Sequence, residues 1–389
     1  MKKIALALEK FSRHAGGAES YAVSLATFLV QSGWEVHFFG EVWDGEPEGA
    51  IFHKIIVPRY LPAWLKLIMF ALYHKKAVKK QNFDVILGFG NTLYMNVYQS
   101  HGGVHWLSAK RRVYSEKSEI QRAIKRLIIL LSLKQYARAW IESAPFRLYP
   151  RPRIVAISQM IKKDMSSYFN VKDADIKVVY NGVDTSRFNQ NLRNSHKGPL
   201  RKQLGIRGDE VVFLFVSYDL KKKGIEPLVE AVSRLKQMGN TNFRVMVVGG
   251  LPYKAVSRQI KAFDIEDKIL FTGPVRSIEA YYANSDVFVL PTYYDACSLV
   301  VMEAMASGLP AITTTANGAA GIISDGKDGY VIPHPPISQN LAKTMQMLLN
   351  DENRRQMSRE AFCTGQQYSA EKNHQSMIQL LGDVAALKG

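Results

Sequence analysis

Apolar positions along this chain come in short β-rich runs separated by longer stretches of helical period, and the alternation runs twice. Runs at 3–8, 35–39, 85–89, 97–101, 154–157 and 177–179 predict strands. Helices are predicted between them over 17–31, 63–80, 108–142 and 159–168. A polar stretch bearing Pro and Gly, residues 189–208, interrupts the pattern. It then restarts with strands at 211–216, 244–248, 269–271, 287–290 and 311–313, and helices at 227–236, 255–262, 278–283, 299–306, 339–349 and 352–368. Strands that alternate with helices build parallel sheets covered on both faces. The pattern therefore predicts an α/β chain of two doubly wound, Rossmann-like domains, residues 1–192 and 193–369. A last helix spans about 370–387.

The length of 389 residues fits two such domains. No stretch approaches the roughly 18 uninterrupted apolar residues of a spanning helix. The apolar run near the start stops at Glu9, too short for the core of a secretion signal. Two cysteines, Cys297 and Cys363, make neither a disulfide framework nor a metal spacing, which suits a reducing cytoplasm.

Charge changes the picture more. The net charge of +17 calls for an anionic partner. Residues 106–153 carry twelve Lys and Arg against Glu116, Glu119 and Glu142, interleaved with the apolar run 127–131. Such a segment either lies on anionic lipid or is a packed helix with a solvated basic face. Residues 60–80 repeat the combination, with Trp64, Leu65, Leu67, Ile68, Met69 and Phe70 before Lys75, Lys76, Lys79 and Lys80. Two such stretches in one half favour a membrane face. A nucleic-acid partner would also meet the charge, but no zinc knuckle, helix-turn-helix cue or aromatic-basic motif accompanies it.

Candidate chemistry concentrates in residues 293–310, YYDACSLVVMEAMASGLP. A buried strand ending at Pro291 is followed by Asp295, then a helix carrying Glu303, then a Gly-Leu-Pro stop. Strand-to-helix corners at carboxyl strand ends are ligand sites, because amides and the helix dipole point outward there. Three further places share that logic. Lys221-Lys222-Lys223-Gly224 follows a strand and opens a helix, which suits a phosphate. Gly16-Gly17 opens the first long helix, and His101 ends a strand of the first half. Gly249 and the Gly273-Pro274-Val275 turn close strands of the second half.

The acid-x7-acid block in its Glu-Ala-Met-Ala-x-Gly-x-Pro setting resembles the retaining glycosyltransferases of family four. The Lys221–Gly224 turn and the Asn-Gly-Val-Asp-x-x-x-Phe segment at 181–188 extend the resemblance over most of the chain. It implies the two-domain GT-B architecture, two facing Rossmann-like domains with a cleft, the last helix crossing back onto the first domain. It implies that Glu303 binds the donor ribose and that Lys223, with Lys222, binds the diphosphate. Amides near Cys297, Ser298 and Leu299 would meet diphosphate and sugar, and Gly249 and Val275 would lie by the nucleoside. Gly16 and Gly17 would line the cleft, and His101 would touch the donor sugar. Asp295 stands where the family usually has Glu, and would hold sugar hydroxyls. With no Asp-x-Asp pair placed after a strand, the resemblance implies a reaction without metal or cofactor, and without an enzymic nucleophile. The expected donor is a nucleotide-diphosphate hexose such as UDP-glucose. The expected acceptor is a lipid-linked saccharide such as the lipopolysaccharide inner core, on the cytoplasmic face of the inner membrane. Another lipid or polysaccharide acceptor remains the alternative; an epimerase or a phosphorylase of the same architecture is disfavoured by the acid pair and by the lack of a cofactor lysine motif.

Overall fold

The computed structural model describes residues 1–12, 16–191 and 198–387. They form two compact units. The first holds Met1–Lys110, Ser118–Tyr180 and the residues from Lys372 on; the second holds Arg111–Lys117 and Asn181–Glu371. The boundary expected at 192/193 lies outside the described residues. The chain instead passes from one unit to the other at Tyr180/Asn181 and returns at Glu371/Lys372. These two crossings run side by side: Val183 N donates to Tyr368 O at 3.0 Å, and Ala370 N donates to Val183 O at 2.7 Å. A Cβ on Gly182 would sit 2.3 Å from Ser369 O, so only glycine lets the strands approach so closely.

The first unit contains β1 (Lys3–Ala7), β2 (Lys10–Phe11), β3 (Glu35–Gly40), β4 (Val42–Trp43), β5 (Ile51–Lys54), β6 (Val85–Gly88), β7 (Val97–Ser100), β8 (Arg153–Ala156) and β9 (Ile176–Val178). Seven make one parallel sheet in the order β5-β3-β1-β6-β7-β8-β9, while β2 and β4 pair separately. Strand β1 is wholly apolar after Lys3, as a strand covered on both faces must be. The core on one face joins Leu6, Val23, Leu25 and Phe38 to Met377, Leu380 and Leu381 of the final helix, Ala370–Ala386. Leu381 is fully buried there, so Leu381→Ala should cost about 2–5 kcal/mol. A lowered urea midpoint for the transition that includes the first unit is the expected reading.

The second unit contains β10 (Val211–Ser217), β11 (Phe243–Gly249), β12 (Ile269–Gly273), β13 (Val287–Leu290), β14 (Ala311–Thr314) and β15 (Gly329–Ile332), all parallel, in the order β12-β11-β10-β13-β14-β15. Counted by its own strands this is 3-2-1-4-5-6, the doubly wound order, which reverses between β10 and β13. The two units are thus both Rossmann-like α/β domains.

Three local expectations change. The helix expected over 108–142 is three helices, His105–Val113, Glu119–Leu131 and Leu133–Glu142. Ser118 starts the second with a reciprocal capping box, its hydroxyl accepting from Gln121 N at 3.1 Å and Gln121 Oε1 accepting from its amide. Strands β5 and β15 were not expected; both are partly exposed, and neither IFHK nor GYVI is an unbroken apolar run. The two basic amphipathic stretches also part company. Helix Ala63–Val78 buries Phe70, Ala71, His74 and Val78 and packs Leu67 against Ile141 and Ala144. Helix Glu119–Leu131 buries nothing: Ile120, Ile124, Leu127, Ile128 and Leu131 are all more than half exposed.

Candidate active site

The switch point of the second sheet places the carboxyl ends of β10 and β13 side by side. The lysine turn leaves β10, and the Asp295 loop leaves β13. Gly224 locks the two together. It caps helix Ile225–Gln237 at φ +84, and a Cβ there would lie 2.0 Å from Pro291 O. Tyr293 N donates to Lys222 O at 3.0 Å. With the loops so fixed, Lys223 Nζ donates to Asp295 Oδ2 in an ion pair between two half-buried side chains. The other lysines face elsewhere: Lys222 pairs with Asp219, and Lys221 with Glu116 at 2.6 Å. Of the two lysines proposed from sequence, only Lys223 reaches the acid block with its side chain.

Asp295 is held by its backbone. Its amide donates to Ala316 O at 3.0 Å, and its carbonyl accepts from Gly318 N at 2.8 Å. The residue that completes this loop, Asn317, went unnoticed in the sequence. Buried beyond β14, it accepts from Ser298 N at 3.2 Å and Ala319 N at 3.1 Å, and its Nδ2 donates to Thr313 Oγ1 at 2.9 Å. Cys297 N donates to Asp295 Oδ1 at 3.3 Å. The amides of Cys297 and Ser298 are therefore already engaged. This narrows the expectation of three donor-binding amides to the first turn of helix Leu299–Ala306, whose N–H groups have no partner within the helix. The Cys297 side chain is buried against Met302, and burial, with Asp295 nearby, raises its thiol well above the usual range. It is a packing residue, not a nucleophile.

Glu303 sits one turn into that helix. Its Oε2 accepts from Tyr282 OH at 2.8 Å, and Tyr282 is itself buried. Burial raises the Glu303 carboxyl above the usual range, while Tyr282 and the Arg187 charge pull it back. Arg187 is in turn paired with Glu279, Nε to Oε1 at 2.8 Å. Gly249 ends β11 at φ +107, where a Cβ would lie 2.7 Å from Ser217 O, so its glycine serves close strand packing. Val275 is half-buried just beyond β12.

In the first unit, Gly16 precedes helix Gly17–Gln31, which Gly17 opens; residues 13–15 lie outside the described residues. His101 follows β7. Its ring packs on Tyr21 at 4.6 Å and Phe89 at 5.3 Å between centroids. Burial lowers its pKa to about 3, so the imidazole is neutral at physiological pH. Its Nε2 is buried without a hydrogen-bond partner among the described residues. A neutral ring whose buried Nε2 is unpartnered suits a hydrogen bond to a polar ligand. Among the described residues no three His, Cys, Asp or Glu side chains converge as metal ligands.

Known proteins resemble both halves of the chain. Residues 15–187 match the model of Glycosyltransferase Family 4, and residues 197–362 that of Glycosyl transferases group 1. An uncharacterized glycosyltransferase of Methanocaldococcus jannaschii is 28% identical over 194 residues, 49% of either chain. Lipopolysaccharide glucosyltransferase WaaG of Escherichia coli is 21% identical over 336 residues, 86% of each. The crystal structure of WaaG, a glycosyltransferase involved in lipopolysaccharide biosynthesis, superposes with TM-score 0.79 at 19% identity, over 97% of this chain and 99% of that one. Anabaena Alr3699/HepE in complex with UDP-glucose gives TM-score 0.68 at 18% identity, over 98% and 100%. With both halves matched and the two-sheet fold shared, this chain is a glycosyltransferase of the GT-B type, belonging to family 4.

Proposed function

We propose that the chain transfers a hexose from a nucleotide diphosphate, UDP-glucose by preference, to a lipid-linked saccharide such as the lipopolysaccharide inner core, retaining the anomeric configuration. The observation that carries the donor half is the Lys223–Asp295 pair at the second sheet's switch point. A diphosphate is a stronger anion than one carboxylate. It displaces Asp295 as the partner of Lys223 and frees that carboxylate for the sugar hydroxyls, while first-turn amides of helix Leu299–Ala306 take phosphate oxygens. Glu303, its Oε2 held by Tyr282, offers its remaining oxygen to the ribose. Preorganised lysine and amides stabilise the departing diphosphate, and its oxygen takes the acceptor proton on the face it leaves. His101 offers its free nitrogen to a sugar hydroxyl. The likenesses to WaaG and to the UDP-glucose complex of HepE support the choice of donor and acceptor. A panel of nucleotide sugars with mass analysis of the products tests it; transfer from none of them would refute it.

The uncovered helix Glu119–Leu131 supports a membrane-surface acceptor. Its apolar face would enter the headgroup region of the inner membrane's cytoplasmic leaflet, with Lys125 and Arg126 meeting anionic headgroups. No helix among the described residues is long and apolar enough to span a membrane. Near the surface each cation contributes about 1 kcal/mol. Lys125→Glu/Arg126→Glu should therefore lower affinity for anionic vesicles by roughly 10-fold or more. Sedimentation with vesicles reads this; undiminished binding would remove the helix from the membrane contact.

A further inference from the structure

The first unit carries a second cationic and apolar feature, away from helix Glu119–Leu131 in sequence and different in kind. A groove of about 700 Å³ runs between edge strand β5 with the residues after it and the far side of helix Ala63–Val78. Its apolar lining includes Phe52, Ile55, Ile56 and Tyr73, and its cations are Lys54, Lys76 and Lys80. No Asp or Glu lines it. None of the three lysines has an ion-pair partner among the described residues. The helix supplies Tyr73 and Lys76, about one turn apart on one face, and Lys80 follows just beyond its end. The opposite face, with Ala71, is buried in the packing against Ile141 and Ala144.

The wall of the groove is closely packed where it meets β5. His53 stacks on Phe39 at 4.4 Å between centroids, and its Nε2 is 2.7 Å from His37 Nδ1. His37 Nε2 lies in turn 2.8 Å from Glu35 Oε1. Ile56, at 73% exposure, stands at the mouth. Three unpaired cations beside exposed aliphatic and aromatic surface fit one ligand chemistry: a phosphate joined to an apolar tail. A free saccharide would need several acceptors for its hydroxyls, and the lining has few. A free phosphate would leave the apolar side uncovered.

We propose that this groove holds the headgroup phosphate of an anionic phospholipid between Lys54, Lys76 and Lys80, with the first carbons of its chains against Ile56 and Tyr73. This rests on the membrane reading above only in naming the bilayer as the source of the lipid. The test uses dihexanoyl phosphatidylglycerol as a monomer, below its micelle concentration, with the imidazole NMR signal of His53 as readout. Because no bilayer is present, the result does not depend on whether helix Glu119–Leu131 enters one, and the two readings can fail separately. A saturable shift is expected. Lys76→Glu/Lys80→Glu, both at exposed positions, should weaken it at least 10-fold with an unchanged circular dichroism spectrum. Dihexanoyl phosphatidylcholine and inorganic phosphate should each bind at least 10-fold more weakly than the anionic lipid. Equal binding by the double variant, or no shift at all, would overturn the site. Inorganic phosphate binding as tightly as the lipid would overturn it as a lipid site.

Discussion

Lys223→Ala should lower kcat/KM for the nucleotide-sugar donor by roughly 10²–10³-fold, the loss seen when one preorganised charge stabiliser is removed from a water-poor site. The same substitution leaves Asp295 without its cation. The double variant Lys223→Ala/Asp295→Asn, read by binding of the free nucleotide diphosphate, which lacks the sugar assigned to Asp295, separates the two effects, because a loss due only to a stranded carboxylate would be relieved in it. Glu303→Ala should act on binding: a lost hydrogen bond to a charged group is about 1.5–3 kcal/mol, or roughly 10- to 100-fold in the Kd for the donor nucleotide. Calorimetry reads it directly, and unchanged affinity would detach Glu303 from the ribose. The raised pKa of Glu303 adds a sign. Its ionised form accepts the ribose hydroxyls, so affinity should be full well above the usual carboxylate range. It should fall on acidification sooner than for an ordinary Glu, and Glu303→Gln should flatten that dependence.

Asp295→Asn should slow transfer by roughly 10²-fold and leave the stereochemistry alone. A carboxylate that attacked the anomeric carbon would form a covalent glycosyl-enzyme. Here the acid instead faces Lys223 and is pinned through Ala316 and Gly318, a geometry suited to gripping rather than attack. Proton NMR of the product should show the donor's α configuration for both proteins. Mass spectrometry after a fluorinated donor should show no adduct on Asp295. An adduct would end the mechanism without a nucleophile, and a β product would contradict retention.

Much of this was legible from period and spacing. Strand β13 and residues 211–216 of β10 are unbroken apolar runs, and the acid, helix and Gly-Leu-Pro stop that follow β13 are contiguous, so the corner shows in the sequence itself. What hid was what depends on three dimensions. Asn317 acts on Ser298 across a loop from another strand, and no local pattern marks an Asn for that. Tyr282 reaches Glu303 from a different helix and reads in sequence as one more aromatic core residue. The three lysines at 221–223 are equivalent on paper; only the turn fixed by Gly224 and Pro291 sends one of them to Asp295. The same limit explains the two basic amphipathic stretches. Each has an apolar stripe, and a stripe does not say whether something covers it. The cover for helix Ala63–Val78 comes from Ile141 and Ala144, some seventy residues on; for Glu119–Leu131 none comes from the described residues.

The return of the chain to the first unit has a consequence for synthesis. Met377, Leu380 and Leu381 belong to the core built on β1 and β3, yet they leave the ribosome after the whole of Asn181–Glu371. At roughly 5–20 residues per second, that delay is on the order of 10–40 s. Through it the nascent first unit displays the apolar surface around Leu6 and Phe38 that its final helix will cover. A chaperone that holds exposed apolar surface should engage the growing chain in that window and release it once Met377, Leu380 and Leu381 have emerged. The same order makes a message truncated before codon 372 a source of sticky, protease-sensitive fragments rather than of a free-standing first domain.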